Sequence, residues 1–219
     1  MAHIVLVHGM TATGKSWFDI PDLLRAKGHD VSVVDLPGHV QTGIFSILTS
    51  QFVKMEDYVD EVAKYLSPSR PSVLVGHSMG GAVISHVAAQ FPDRVSDLVY
   101  FTAMVPKDGE TIGKIVMRTG TDMSDIKEEF EAAGIEDGDP ALGNQPMPPF
   151  FKRFETNTKF EALKKHYVRC SKDKIIKPPL QEAFCKDWDI TSSITLESGH
   201  LAMKTMPSQL ADGSDGLTG

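Results

Sequence analysis

The stretch His8-Gly9-Met10-Thr11-Ala12-Thr13-Gly14-Lys15-Ser16-Trp17 sets two folds against each other. From Gly9 to Ser16 it matches G-x-x-x-x-G-K-[ST], the loop whose backbone amides cradle phosphates. It follows an apolar run at 4–7 that reads as a strand. It precedes 17–27, which reads as a helix stopped by Gly28. Further on, Asp35-Leu36-Pro37-Gly38 fits the D-x-x-G of a GTPase. A second motif competes. Gly76-His77-Ser78-Met79-Gly80, followed by Gly81, is G-x-S-x-G, which places a Ser on a tight, strained strand-to-helix turn. Its neighbours must be small to avoid the strand and the helix, and Gly76, Gly80, Gly81 and Ala82 meet that demand. The run 72–76 reads as the strand before it. The run 79–91, stopped by Pro92, reads as the helix after it.

Pattern frequency alone favours the nucleotide reading. With Gly at ~7% of residues, G-x-S-x-G arises by chance in roughly one chain in ten of this length, and the phosphate loop in about one in a hundred. Chemistry reverses that preference. A nucleotide hydrolase needs an acidic residue at a strand end to hold Mg²⁺, and Asp35 follows Lys15 by only 20 positions. The base-reading N-K-x-D of a GTPase does not occur; Thr156-Asn157-Thr158-Lys159 stops short of it. A serine hydrolase needs an acid and then a histidine after the elbow. Asp173 falls just past a strand at 166–170, and His200 just past a strand at 192–196. Both sit where the carboxyl ends of parallel strands form a ligand-binding rim. Ser78 would attack a carbonyl, His200 would carry the proton, and Asp173 would fix the imidazole tautomer. Asp187 and Asp189 are rivals for the acid, but they precede a strand rather than follow one. No metal or cofactor is required.

On this reading the opening stretch also binds an anion, a transient oxyanion in place of a phosphate. The backbone amides of Met79 and Met10 become its donors, each worth roughly 3–4 kcal/mol in the transition state. Gly9 lets the chain turn there, Ser16 caps the following helix, Asp35 becomes a strand-end hydrogen-bonding residue, and His8 holds the loop.

The rest of the chain agrees with one core. Its 219 residues are 41% hydrophobic and 23% charged, with a net charge of -7 that argues against a nucleic-acid surface. No apolar run approaches a membrane span. The N-terminus lacks a basic leader region, and Cys170 and Cys185 read as reduced, packed thiols, so a cytoplasmic location is expected. Strand-like runs alternate with helical patterns at 55–66 and 179–188, and further strands fall at 31–35 and 95–102. Continuous apolar runs mean strands buried on both faces, hence an α/β fold of about six mostly parallel strands flanked by helices. Residues 106–164, with IEDGDP at 135–140 and QPMPPFF at 145–151, break that rhythm and read as a small, mainly helical cap. The core is then 1–105 and 165–212, and the Gly/Asp-rich 213–219 is expected to be a disordered tail.

VLVHG (5–9), DLPGH (35–39), VGHSMGG (75–81), YVRCSKDKIIKPPLQEAF (167–184) and SGHLAMKTMPSQL (198–210) together resemble the α/β-hydrolase fold. More narrowly, they resemble its plant-type methylesterase and hydroxynitrile lyase branch. The resemblance implies a six-stranded core, a small cap, and Ser78, Asp173 and His200 as triad. Two positions depart from the lyases, which carry Thr where this chain has Gly9 and Lys where it has Leu201. The esterase side is therefore favoured: a cofactor-free carboxylesterase acting through an acyl-enzyme on Ser78. A lyase use of the same triad and a nucleotide-binding protein are the alternatives. A pocket is expected from Gly9, His77, Met104, Phe150, Phe151, Phe154 and Leu201. Met10, Met79 and Met203 would add deformable apolar surface. The expected partner is a small-molecule ester, without nucleic acid or membrane, and a homodimer is compatible with the sequence. The substrate is not legible.

Overall fold

The computed structural model describes residues 1–40, 50–67 and 69–218. Six strands form one sheet: β1 (His3–Val7), β2 (Asp30–Val34), β3 (Ser72–His77), β4 (Val95–Phe101), β5 (Lys164–Cys170) and β6 (Ser192–Leu196). Every pairing is parallel, in the order β2-β1-β3-β4-β5-β6. The strands β1 and β3 carry continuous apolar runs, IVLV and VLV, because both faces of the sheet are covered there. Val5, Val7, Leu74, Leu98, Tyr100 and Tyr167 enter one core. Their neighbours Ile4, Leu6, Val73, Val75, Val99 and Val168 enter the other.

Helices α2 (Met55–Ala63), α3 (Gly80–Gln90) and α7 (Pro178–Asp187) cover the first face. Helices α1 (Ile20–Ala26) and α9 (Pro207–Thr218), with the short α8 (Ala202–Thr205), cover the second. Between β4 and β5 lie α4 (Ile112–Thr119), α5 (Met123–Ala132) and α6 (Thr158–Ala162). The strand order reverses between β1 and β3, which opens a crevice at their carboxyl ends. Among the described residues no helix is long and apolar enough to cross a membrane.

Two local expectations are corrected. The first helix begins at Ile20 rather than at 17. A 3₁₀ turn, Gly14–Trp17, precedes it, and Thr13 rather than Ser16 accepts its first amide, from Lys15. Phe18 then takes a left-handed φ of 45° and interrupts the helical path. The tail is not frayed: α9 runs through Thr218 despite poor helix formers. Its inner face supplies the order, since Leu210 and Ala211 are buried and Leu217 packs on the same core.

Candidate active site

Ser78 sits immediately after β3 with φ at 53°, a left-handed conformation for a residue with a side chain. Such strain persists only where the surroundings impose it. Here Ser78 donates its amide to the Phe101 carbonyl at 3.3 Å, and its carbonyl accepts from the Met104 amide at 2.9 Å. Close packing enforces the small neighbours. A Cβ on Gly80 would overlap the Val7 and His8 carbonyls, and one on Gly76 would meet the Gly80 carbonyl at 2.6 Å.

Asp173 and His200 meet. The Asp173 Oδ2 accepts from His200 Nδ1 at 2.7 Å, with both side chains buried. Because the carboxylate can only accept, Nδ1 carries the proton and Nε2 is the free nitrogen. The same Oδ2 accepts the Thr102 hydroxyl, and Oδ1 accepts the amides of Ile175 (2.7 Å) and Ile176 (2.8 Å). The rival Asp187 instead pairs with Lys107 at 2.8 Å, and Asp189 occupies an exposed left-handed turn. His77 donates Nε2–H to the His200 carbonyl at 3.0 Å. Burial, and then its proximity to His200, hold its pKa well below the usual histidine value, so it is neutral. Its Nδ1 is buried with no partner among the described residues.

The loop 8–16 is fastened from beneath. His8 donates Nδ1–H to the Gly9 carbonyl (3.0 Å) and accepts the Leu36 amide at Nε2 (3.0 Å). His39 donates Nδ1–H to the Ala12 carbonyl (3.1 Å) and accepts the Tyr58 hydroxyl (2.7 Å). The amides of Met10 and Met79 find no protein acceptor among the described residues. The phosphate-loop match does not present an open set of amides. Asp35 Oδ1 accepts the Gly14 amide at 2.6 Å, so a carboxylate stands where an anion would bind. Lys15 points to solvent.

These histidines make a stability prediction. Burial lowers His8 to about 4 and His39 to about 3, from an ordinary value near 6.5. Between those limits the unfolded chain binds protons that the folded chain does not, so stability is lost as pH falls below 6.5. Each group contributes a slope of up to about 1.4 kcal/mol per pH unit. Thermal melts between pH 7.5 and pH 5 will fall steadily below 6.5, and less so in His39→Gln. A flat midpoint across that range contradicts the assignment.

Ser78 and His200 line one cavity of about 80 Å³, together with Gly9, Met10, His77 and Leu201. Ile126 and Phe130 of α5, with Ile135, Ala141 and Leu142 after it, close the far side. Phe18, Ile175 and Met203 add apolar surface, and among the described residues no Asp, Glu, Lys or Arg lines the space. Gly9 brings backbone close to the elbow: a Cβ there would lie 2.9 Å from that of Ser78.

Four expected pocket residues are elsewhere. Met104 is buried beneath the elbow. Phe154 joins Phe160 and Trp188 in an aromatic cluster on the α2/α3 face. Phe150 fills the same core beside α4, and Phe151 is 73% exposed. The turn Pro148–Phe151 packs against helices on that face, so its aromatics never reach the sheet rim. Sequence reasoning missed Thr102 and Glu129. The latter is a buried acid on α5 that accepts the His200 amide.

A parallel sheet with a strained serine after its third strand, and a histidine–aspartate pair at the same rim, defines an enzyme of the α/β-hydrolase class. The chain belongs to the alpha/beta hydrolase family, whose model matches residues 4–212. It is similar to a pyrethroid hydrolase of Sphingobium wenxiniae, 28% identical over 95% of this chain and 85% of that one. It is also similar to a pFDCC methylesterase of Arabidopsis thaliana, 26% identical over 95% and 91%. Among solved structures, a pyrethroid hydrolase from Sphingobium faniae superposes with a TM-score of 0.83. Its identity is 26%, and the match covers 98% of this chain and 96% of that one.

Proposed function

We propose that this chain is a cofactor-independent serine esterase that cleaves small, uncharged, largely apolar carboxylic esters through an acyl-enzyme on Ser78. The observation that carries this reading is the 2.7 Å Asp173–His200 hydrogen bond behind a cavity that Ser78 and His200 both line. Relatives named as a pyrethroid hydrolase and a methylesterase support ester cleavage. The Ser78 Oγ attacks the carbonyl carbon while His200 Nε2 takes its proton. The oxyanion forms against the Met10 and Met79 amides. Collapse breaks the bond to the ester's alkoxide oxygen, which takes the proton from His200 and leaves as the alcohol, and water repeats the sequence to release the acid. Residues 106–164 act as the cap, since Ile126, Phe130 and Leu142 supply the outer wall. The lyase alternative loses ground at Gly9, because a Thr there would crowd the Ser78 Cβ.

The cavity predicts the acyl preference. Its small volume and uncharged lining favour short neutral acyl groups. In a series of p-nitrophenyl esters, kcat/KM will be highest for acetate and butyrate and will fall for decanoate and for the anionic hemisuccinate. Equal rates across the series, or preference for the anion, would count against the proposal.

A further inference from the structure

Glu129 lies within an acidic run on α5 yet is only 5% exposed. Its Oε2 accepts the amide of His200 and its Oε1 the amide of Lys174, each at 2.8 Å. One amide belongs to the proposed base itself and the other to the residue after the proposed acid. A single carboxylate therefore bridges the two loops that the His200–Asp173 hydrogen bond also joins. Gly199 is part of the fit, because a Cβ there would overlap the Glu129 carboxylate.

The rest of α5 and the residues just before it are fastened to the same loop. Asp125 pairs with Lys177 at 3.0 Å, Glu128 pairs with Lys174, and the Thr121 hydroxyl donates to the Ile175 carbonyl at 2.6 Å. Ile126 and Phe130, three residues before Glu129 and one after, line the acyl cavity. One helix thus carries both the cavity wall and the bridge to the histidine loop. A buried carboxylate is costly unless its oxygens are hydrogen-bonded, and two backbone amides meet that need here. A shape-filling role alone would not require an ionisable group.

We propose that Glu129 is a positioning residue. It fixes the spacing of the His200 and Asp173 loops and ties that spacing to the α5 wall against which the acyl group packs. The proposal rests on the serine-esterase reading above. Displacing a base by a fraction of an ångström lowers turnover without weakening substrate binding.

The test compares wild type, Glu129→Gln and Glu129→Ala. Gln keeps the length but replaces one acceptor with a donor that faces an N–H. Ala removes both acceptors. Steady-state kinetics on p-nitrophenyl butyrate, the single-turnover rate of Ser78 phosphonylation by a fluorophosphonate, and the melting temperature are measured together. Expected is a graded fall in kcat and in labelling rate, about tenfold for Gln and about a hundredfold for Ala, with KM within about threefold of wild type. Unchanged kcat with a lower melting temperature, or a rise in KM at constant kcat, overturns the proposal. So does failure of both variants to fold, which makes the role structural. A wild type that takes no label on Ser78 overturns the esterase reading instead, so the two failures are distinguishable.

Discussion

Replacing Ser78 with Ala will lower kcat/KM for p-nitrophenyl esters by about 10⁴-fold or more while leaving the fold intact. The change removes one oxygen and leaves the strained backbone, which the Phe101 carbonyl and Met104 amide hold in place. Ala has a similar steric cost to Ser at a φ of 53°, so the melting temperature should move little. The cavity and the Met10 and Met79 amides remain, so a residual rate above that in water is expected. A variant retaining a tenth of wild-type turnover would show that another group is the nucleophile.

Asp173→Asn should be nearly as damaging, for a reason visible in its hydrogen bonds. Oδ1 accepts two backbone amides, from Ile175 and Ile176, while Oδ2 accepts His200 Nδ1–H and the Thr102 hydroxyl. An asparagine keeps the first pair only by turning its oxygen toward them. Its NH₂ then faces Nδ1, which must become the acceptor, so the proton moves to Nε2 and the free nitrogen proposed to take the Ser78 proton is lost. A fall in kcat of about 10⁴ follows, with KM changed far less. The flipped amide restores the tautomer but strands two backbone donors, at about 1–3 kcal/mol each. A variant that keeps both stability and turnover would remove Asp173 from the mechanism.

How much of this is legible in the sequence depends on the range of the interaction. Strands declare themselves because a sheet covered on both faces leaves uninterrupted runs such as 4–7 and 72–76, and the observed strands overlap every predicted one. The strained Ser78 turn and the meeting of Asp173 with His200 are legible because such a turn needs glycines in sequence and because Asp173 and His200 each follow a strand. The phosphate-loop match misleads as a pattern. What overrides it is Asp35, twenty-one residues away from Gly14, whose carboxylate takes the loop's amide. The pocket is the least legible part. Residues 106–164 contain aromatic and aliphatic segments, and nothing in local periodicity says which will face the rim. Phe154 finds Phe160 and Trp188 instead, and Ile126 and Phe130 take the wall. Glu129 resembles any surface acid on a helix, and the approach of Gly199 and of the His200 and Lys174 amides makes it internal. The tail misleads in the opposite direction, since packing of Leu210 and Leu217 outweighs its poor helix formers.

The most direct measurement is covalent labelling with a fluorophosphonate, read by intact mass and by mapping the modified peptide. One adduct is predicted, on the peptide containing Ser78, absent from Ser78→Ala and slowed in Asp173→Asn. No adduct, or an adduct at any other residue, would contradict a nucleophile built from Ser78, His200 and Asp173.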